Sequence, residues 1–160
     1  MDQDKVAPAL GKIASGLYIA TATDSGGNPV GMLCSFVEQA GFEPPMITIA
    51  ISPDRRLAKV LVESGKLGLN VLGKSNGGAL MKPFVSSGDA DPFRGIALTA
   101  NHHGIPQLSD ALAFLACELR DQMPAGDHTI YLCEVIDGRM PVTPEKDEPM
   151  IRIRANGFGY

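Results

Sequence analysis

Three short stretches of this 160-residue chain carry groups suited to chemistry. The first is SPDRR, residues 52–56, at the head of a segment with helical spacing. The start of a helix presents unpaired N–H groups and a partial positive charge, which favour an anion. Arg55 and Arg56 oppose that field unless an anion is held there, and a guanidinium can grip phosphate with a two-pronged hydrogen bond. The plainer alternative is a pair of solvated arginines balancing Asp54 and Glu63. The second stretch is GMLCSF, residues 31–36. Gly31 admits close backbone approach, and the small side chains of Cys34 and Ser35 leave main-chain groups reachable, which suits the polar edge of a planar heterocycle. Otherwise it is a strand leaving the core. The third is GDH, residues 126–128, where His128 opens a strand. A histidine there can donate a hydrogen bond or change charge near neutral pH, or serve only as a structural hydrogen-bonder.

Other chemistries lack support. His102 and His103 are adjacent, so in an extended segment they point to different sides, and no Cys or carboxylate stands at zinc-like spacing beside them; no metal is expected. No G-x-S-x-G motif announces a hydrolase nucleophile, and no G-x-G-x-x-G follows a strand. The net charge of −4 argues against nucleic acid as a partner. No apolar run approaches the ~20 residues of a membrane span, and the acidic N-terminal residues do not read as a signal peptide. Cys34, Cys117 and Cys133 are odd in number, form no C-x-x-C and lie in apolar segments. They read as buried thiols of a cytoplasmic protein.

The elements that must position these groups follow from periodicity. One domain, residues 1–160, is expected, long enough to bury roughly 70% of its unfolded surface. KVAPALGKIASG has helical spacing with Gly16 as a stop; LYIATATD and PVGMLCSF flank the turn DSGGN as a hairpin. MITIAIS, apolar on both faces, predicts a central strand. SPDRRLAKVLVESGK is the clearest helix, with Ser52 as N-cap, a stripe of Leu57, Val60 and Leu61, and Gly65 beyond its end. KLGLNVL predicts a strand and GGALMKPF a short helix. Residues 85–110 read as an irregular excursion with at most one short strand. ALAFLACELRDQ fits helix or strand, though HTIYLCEVIDG after it favours a hairpin. PVTPEKDEP reads as an acidic loop and MIRIR as an edge strand. The sum is a mostly β, mainly antiparallel barrel or sandwich with short helices.

The segments ALGKIASGLYIATA, GMLCSFVEQAGFEPPMITIAIS, SGKLGLNVL, GIPQLSDALAFLACEL and GDHTIYLCEV, in that order, resemble the flavin reductase-like, FMN-binding split-barrel family. The likeness is greatest to the flavin reductase modules of cyanobacterial flavodiiron proteins and to flavoredoxins, and runs from about residue 7 to Tyr160. With no diiron or flavodoxin module in the chain, the resemblance implies the stand-alone form, a Greek-key split barrel that holds FMN at a homodimer interface. It implies that Met32, Leu33, Cys34, Ser35 and Phe36 run along the flavin ring, chiefly through backbone. Many members carry Thr-Ala-Ser-Ser where this chain has Leu33-Cys34-Ser35-Phe36, so two hydroxyls are missing. The turn of Ser52, Arg55 and Arg56 aligns with the phosphate-holding part, Asn70 with a position beside the cofactor, and Phe84 and Phe93 with aromatics near the ring. His128 aligns with a residue near the reactive face, implicated with the nicotinamide. The implied activity is transfer of hydride from NADH or NADPH to bound flavin, and of electrons to a small-molecule flavin or redox-protein acceptor. The alternative is an FMN electron carrier that never reacts with NAD(P)H. A split barrel holding haem is a third reading, for which no ligand signature is present.

Overall fold

The computed structural model describes residues 1–85, 91–140 and 147–159. Along the chain these form α1 (Gln3–Gly11), β1 (Ser15–Gly16), β2 (Tyr18–Thr23), β3 (Pro29–Cys34), β4 (Val37–Phe42), β5 (Pro45–Ile51), α2 (Arg56–Ser64) and β6 (Lys66–Val71). Then come α3 (Gly77–Val85), β7 (Leu98–Thr99), β8 (Gln107–Leu108), β9 (Ala113–Ala125), β10 (His128–Arg139) and β11 (Ile151–Arg152). Seven strands make one antiparallel sheet in the order β3-β2-β6-β9-β10-β5-β4. Its two outermost strands, β3 and β4, are consecutive in the chain, with only Ser35 and Phe36 between them. The sheet therefore curls until its edges meet, as a mostly β barrel split along one seam, and those two residues cross the seam.

The interior follows from the alternation of side chains along each strand. Ala20, Val30, Ile49, Leu69, Cys117 and Cys133 point inward, and the stripe of α2 closes one end. Leu57 is 1% exposed and Leu61 fully buried; each such burial stabilises by about 1.5–3 kcal/mol. Gly65 ends α2 at φ +68°, its N–H bonded to the Leu61 carbonyl, a left-handed cap that glycine adopts at little cost. A second cluster, with Ile19, Leu72, Leu80, Phe93 and Leu108, fills the space between the other face of the sheet and α3.

The structure corrects several expectations. The first helix stops at Gly11 rather than Gly16, because Ser15 and Gly16 pair with Arg152 and Ile151. The hairpin favoured for ALAFLACELRDQ is present: residues 113–122 are strand within β9, where ladders to β6 on one side and β10 on the other outweigh a helix-forming composition. Residues 85–110 contain two short strands, the pair β7–β8, instead of one at most. A whole strand, β4, lies where only a polar strand end and rigid turn were read. Glu38, Gln39 and Ala40 are exposed on this edge, so the apolar alternation that marks a strand is missing. Only Ile151 and Arg152 of MIRIR are strand. Of the expected acidic loop, residues 141–146 lie outside the described residues.

Candidate functional site

Three chain segments converge where the barrel seam is crossed. β3 ends at Cys34, Ser35 and Phe36 make the crossing, and the Phe36 carbonyl accepts the Ala50 N–H at 2.9 Å. That bond sets the crossing beside the end of β5. Ile51 in turn pairs with Thr129, which brings His128 alongside Ser52. The His128 and Phe36 rings meet edge to face, 5.7 Å between centroids. From the far C-terminal end, Arg154 lays its guanidinium carbon 4.8 Å from the Phe36 centroid. The Arg154 N–H bonds to the Gly11 carbonyl at 3.0 Å, so α1 holds this tail in place.

The electrostatics of the ledge are specific. His128 Nδ1 lies 2.8 Å from Asp127 Oδ1, and its side chain is largely buried whereas that of Asp127 is exposed. The hydrogen bond from His128 lowers the Asp127 pKa below the usual carboxylate value. An ionised carboxylate only accepts, so this contact puts a proton on Nδ1 and fixes the ring's orientation. Two buried polar atoms here have no hydrogen-bond partner among the described residues: Ser35 Oγ and Arg154 Nε. A buried polar group left unpaired costs about 1–3 kcal/mol, so such atoms call for a partner from outside the chain. An aromatic ring with a cation over it, next in the chain to a serine whose hydroxyl lacks a partner among the described residues, fits the polar edge of a flat heterocycle.

The neighbouring turn supplies an anion-binding end. The Arg55 N–H donates to the Ser52 carbonyl at 3.0 Å, and Arg55 itself occupies the N-cap of α2 without a side-chain cap bond. Ser52 thus opens the preceding turn rather than capping the helix, because the chain needs residues 53–55 to reverse direction after β5. Arg56 is committed elsewhere, to Asp24 at 2.7 Å rather than to Asp54 or Glu63. Asp24 is itself fixed in the β2–β3 turn by the N–H groups of Gly26 and Asn28. Arg55 has no ion-pair partner among the described residues.

The side chains of the other site residues expected from the sequence pack elsewhere. Met32 and Cys34 face the barrel interior. Burial pushes the Cys34 thiol up to about 12. Leu33 faces the opposite cluster with Phe84 and Phe93, whose rings meet edge to face at 5.2 Å. That aromatic pair rests on Gly31: a Cβ there would come within 2.8 Å of Phe93 and 2.9 Å of Phe84. Asn70 is fully buried, its amide donating to the Ile19 carbonyl and Thr21 Oγ1 and its carbonyl accepting the Leu108 N–H at 2.8 Å. Its side chain is spent on joining β6, β2 and β8. Arg154 and Asp127 were missed as site residues; the basic alternation of MIRIR was the only signal for the first. An open hollow of about 550 Å³ between α2 and the β9–β10 hairpin, with Lys59, Val62, Met123 and Thr129 in its wall, lies on the other face of β10 from His128.

Residues 10–156 match the model of the flavin reductase like domain. The chain belongs to this family. Diflavin flavoprotein A 1 of Synechocystis is 39% identical over 134 residues, covering 82% of this chain and 23% of that protein. The chain thus spans about a quarter of the length of such curated relatives. Among solved structures, a homolog of nitrilotriacetate monooxygenase component B from Mycobacterium thermoresistibile superposes with a TM-score of 0.85. It is 26% identical, and the match covers 96% of this chain and 84% of that one. The NADH:FAD oxidoreductase of Streptomyces globisporus C-1027 shares the fold, with a TM-score of 0.81 at 23% identity over 98% of this chain and 90% of that one. No helix among the described residues is long and apolar enough to cross a membrane.

Proposed function

We propose that this chain is an NAD(P)H-dependent flavin reductase that holds FMN on the Phe36 ledge and passes its electrons to a flavin or redox-protein acceptor. The observation that carries this reading is the convergence of Ser35, Phe36, His128 and Arg154, with two orphaned polar atoms among them, in a member of the flavin reductase-like family. When bound, the flavin supplies the redox chemistry, taking hydride from a reduced nicotinamide and releasing electrons onward. The chain's own residues position it. Phe36 offers an apolar wall to the ring, Ser35 Oγ a hydrogen bond to its polar edge, and Arg154 a positive charge beside it. Arg55, at the start of α2, is the group for the phosphate, where the helix field and the guanidinium act together. His128, its Nδ1–H given to Asp127, presents Nε2 to the nicotinamide or to the ring, accepting a hydrogen bond as the neutral ring and donating one as the imidazolium.

The reading includes a cytoplasmic homodimer with the flavin at its interface. Ile13, Ile151, Ile153 and Phe158, all on α1's end and the tail that carries Arg154, are exposed. Large apolar side chains grouped beside a site are the composition of an interface core. The three reduced cysteines suit a reducing compartment.

The test is an absorption spectrum of the purified protein, loaded with FMN and separately with FAD, under nitrogen before and after NADH and then NADPH. Bleaching of the bound flavin establishes the reductase and its donor. A yellow protein that stays oxidised with both donors identifies an electron carrier instead. A protein that retains neither flavin overturns the reading. Sedimentation of the loaded protein as a monomer overturns the dimer.

A further inference from the structure

Adjacent histidines diverge in an extended chain, but His102 and His103 do not, because they occupy a turn. Asn101 builds that turn. Its Oδ1 accepts the N–H groups of His103 (3.1 Å) and Ile105 (3.3 Å), and its Nδ2 donates to the Ile105 carbonyl at 2.7 Å. Gly104 takes the left-handed conformation, φ +68°, that lets the loop close. Ile105, 3% exposed, anchors it in a cluster with Phe114 and Ala116. The two imidazole rings lie side by side, 4.0 Å between centroids.

Asp137 reaches the same point from β10. The β9–β10 ladder shifts register between Val135 and Asp137, and a bulge of this kind re-aims a side chain. The Gly138 N–H holds Asp137 Oδ1 at 2.8 Å, so Oδ2 is turned toward the histidines. Oδ2 lies 3.4 Å from His103 Nε2 and 3.9 Å from His102 Nε2. His103 Nε2 is buried, yet forms no hydrogen bond among the described residues. One ligand atom from each of the three residues lies within 4.8 Å of the others.

We propose that His102, His103 and Asp137 form a binding site for a divalent transition metal ion of the zinc class. Bonds of about 2.0–2.2 Å in a tetrahedral site put neighbouring ligand atoms about 3.3–3.6 Å apart; the two carboxylate–imidazole distances of 3.4 and 3.9 Å are within a few tenths of an ångström of that, and no pair has to close by more than about 1.5 Å. Two imidazoles with one carboxylate select zinc, nickel or copper over magnesium or calcium, which prefer oxygen. The hydrogen bond to Asp137 Oδ1 is the outer support that such a ligand needs. His102 is largely exposed, which leaves the remaining position to water. Two cations oppose the ion: Arg139, 3.9 Å from Asp137 Oδ2, must swing away, and Lys66 is tied to the His103 carbonyl at 3.3 Å. Asp137 is near the opposite end of β10 from His128, about 30 Å along an extended strand, so the ion clamps the 101–105 loop to β10 rather than touching the flavin ledge. The inference is independent of the flavin reading.

The experiment is calorimetric titration of the untagged, chelator-stripped protein with Zn²⁺, with Co²⁺ absorption as a second readout of coordination geometry. One ion per chain, a raised Tm with Zn²⁺ and a tetrahedral Co²⁺ spectrum are the expected results. His102→Ala removes an exposed side chain without disturbing the loop's anchor, and Asp137→Asn keeps the shape of the carboxylate. Each is expected to weaken Zn²⁺ binding by at least about tenfold. No binding at about 1 mM Zn²⁺, or wild-type affinity in either variant, overturns the proposal.

Discussion

Arg154 lies over the face of Phe36, its guanidinium carbon 4.8 Å from the ring centroid. This is cation–π distance, and it places a positive charge from the C-terminal tail over the ring that His128 meets edge to face. Replacing Arg154 with Ala is expected to weaken FMN binding by about three- to thirtyfold, since such contacts are worth about 0.5–2 kcal/mol. Titration of flavin fluorescence measures this. Wild-type affinity in R154A assigns the arginine to holding the tail alone.

The two arginines at the head of α2 are expected to behave differently. Arg55 has no ion-pair partner among the described residues, whereas Arg56 is engaged by Asp24. R55A should therefore loosen FMN by about 1.5–3 kcal/mol, roughly ten- to 150-fold, the range for a charge-assisted hydrogen bond. R56A should leave FMN affinity close to that of the parent. Riboflavin, which lacks the phosphate, is the control: R55A should bind it as the parent does. If R56A is the variant that releases FMN, the Arg56–Asp24 pair opens on binding and the assignment passes to Arg56.

The cysteines are expected to be silent in the native state. Burial pushes Cys34, Cys117 and Cys133 from an ordinary 9.0 up to about 12. Thiolates are the reactive form, so a thiol reagent at neutral pH should label none of the three in the folded chain and all of them in denaturant. The same shifts set an alkaline limit. Each thiol's contribution to stability is complete below pH 9 and is lost as pH rises through about 12, because the unfolded chain releases its protons first. Rapid labelling of native protein at pH 7 would contradict this burial.

Asn70 and Gly68 are expected to act on stability. N70A leaves the Leu108 N–H and the Ile19 carbonyl without their buried partner, at about 1–3 kcal/mol each. G68A forces a Cβ within 2.4 Å of Thr21 Oγ1 and 2.7 Å of Ile105, an overpacking of about 1–3 kcal/mol. Urea midpoints should fall in both variants while FMN affinity, measured on the folded fraction, stays near that of the parent. Loss of flavin from N70A with an unchanged midpoint would instead put Asn70 in contact with the cofactor.

Local pattern carried the elements whose faces are chemically distinct. The stripe of Leu57, Val60 and Leu61, the DSGGN hairpin and the apolar run MITIAIS were legible because helix and strand periods write burial directly into residue order. The order of motifs, from EPP through LNVL to GDH, also led to the family. What depended on partners distant in sequence was not legible. β4 is a polar edge with little apolar signal of its own, and β9, whose composition also fits a helix, read as strand only through the hairpin partner that follows it. The same holds for the ledge. Sequence order could propose Ser35, Phe36 and His128 separately, but Arg154 reaches Phe36 only because the tail docks on α1. The resemblance set Asn70 beside the cofactor, but that its side chain is taken up by three strands is visible only in the fold. His102 and His103 share a side only because Asn101 and Gly104 fold a turn there, and Asp137 faces them only because a bulge shifts β10 by one register. Side-chain type and period are properties of a few neighbouring residues; register, bulges and docking are properties of the whole packed chain, and the tertiary structure alone decided them.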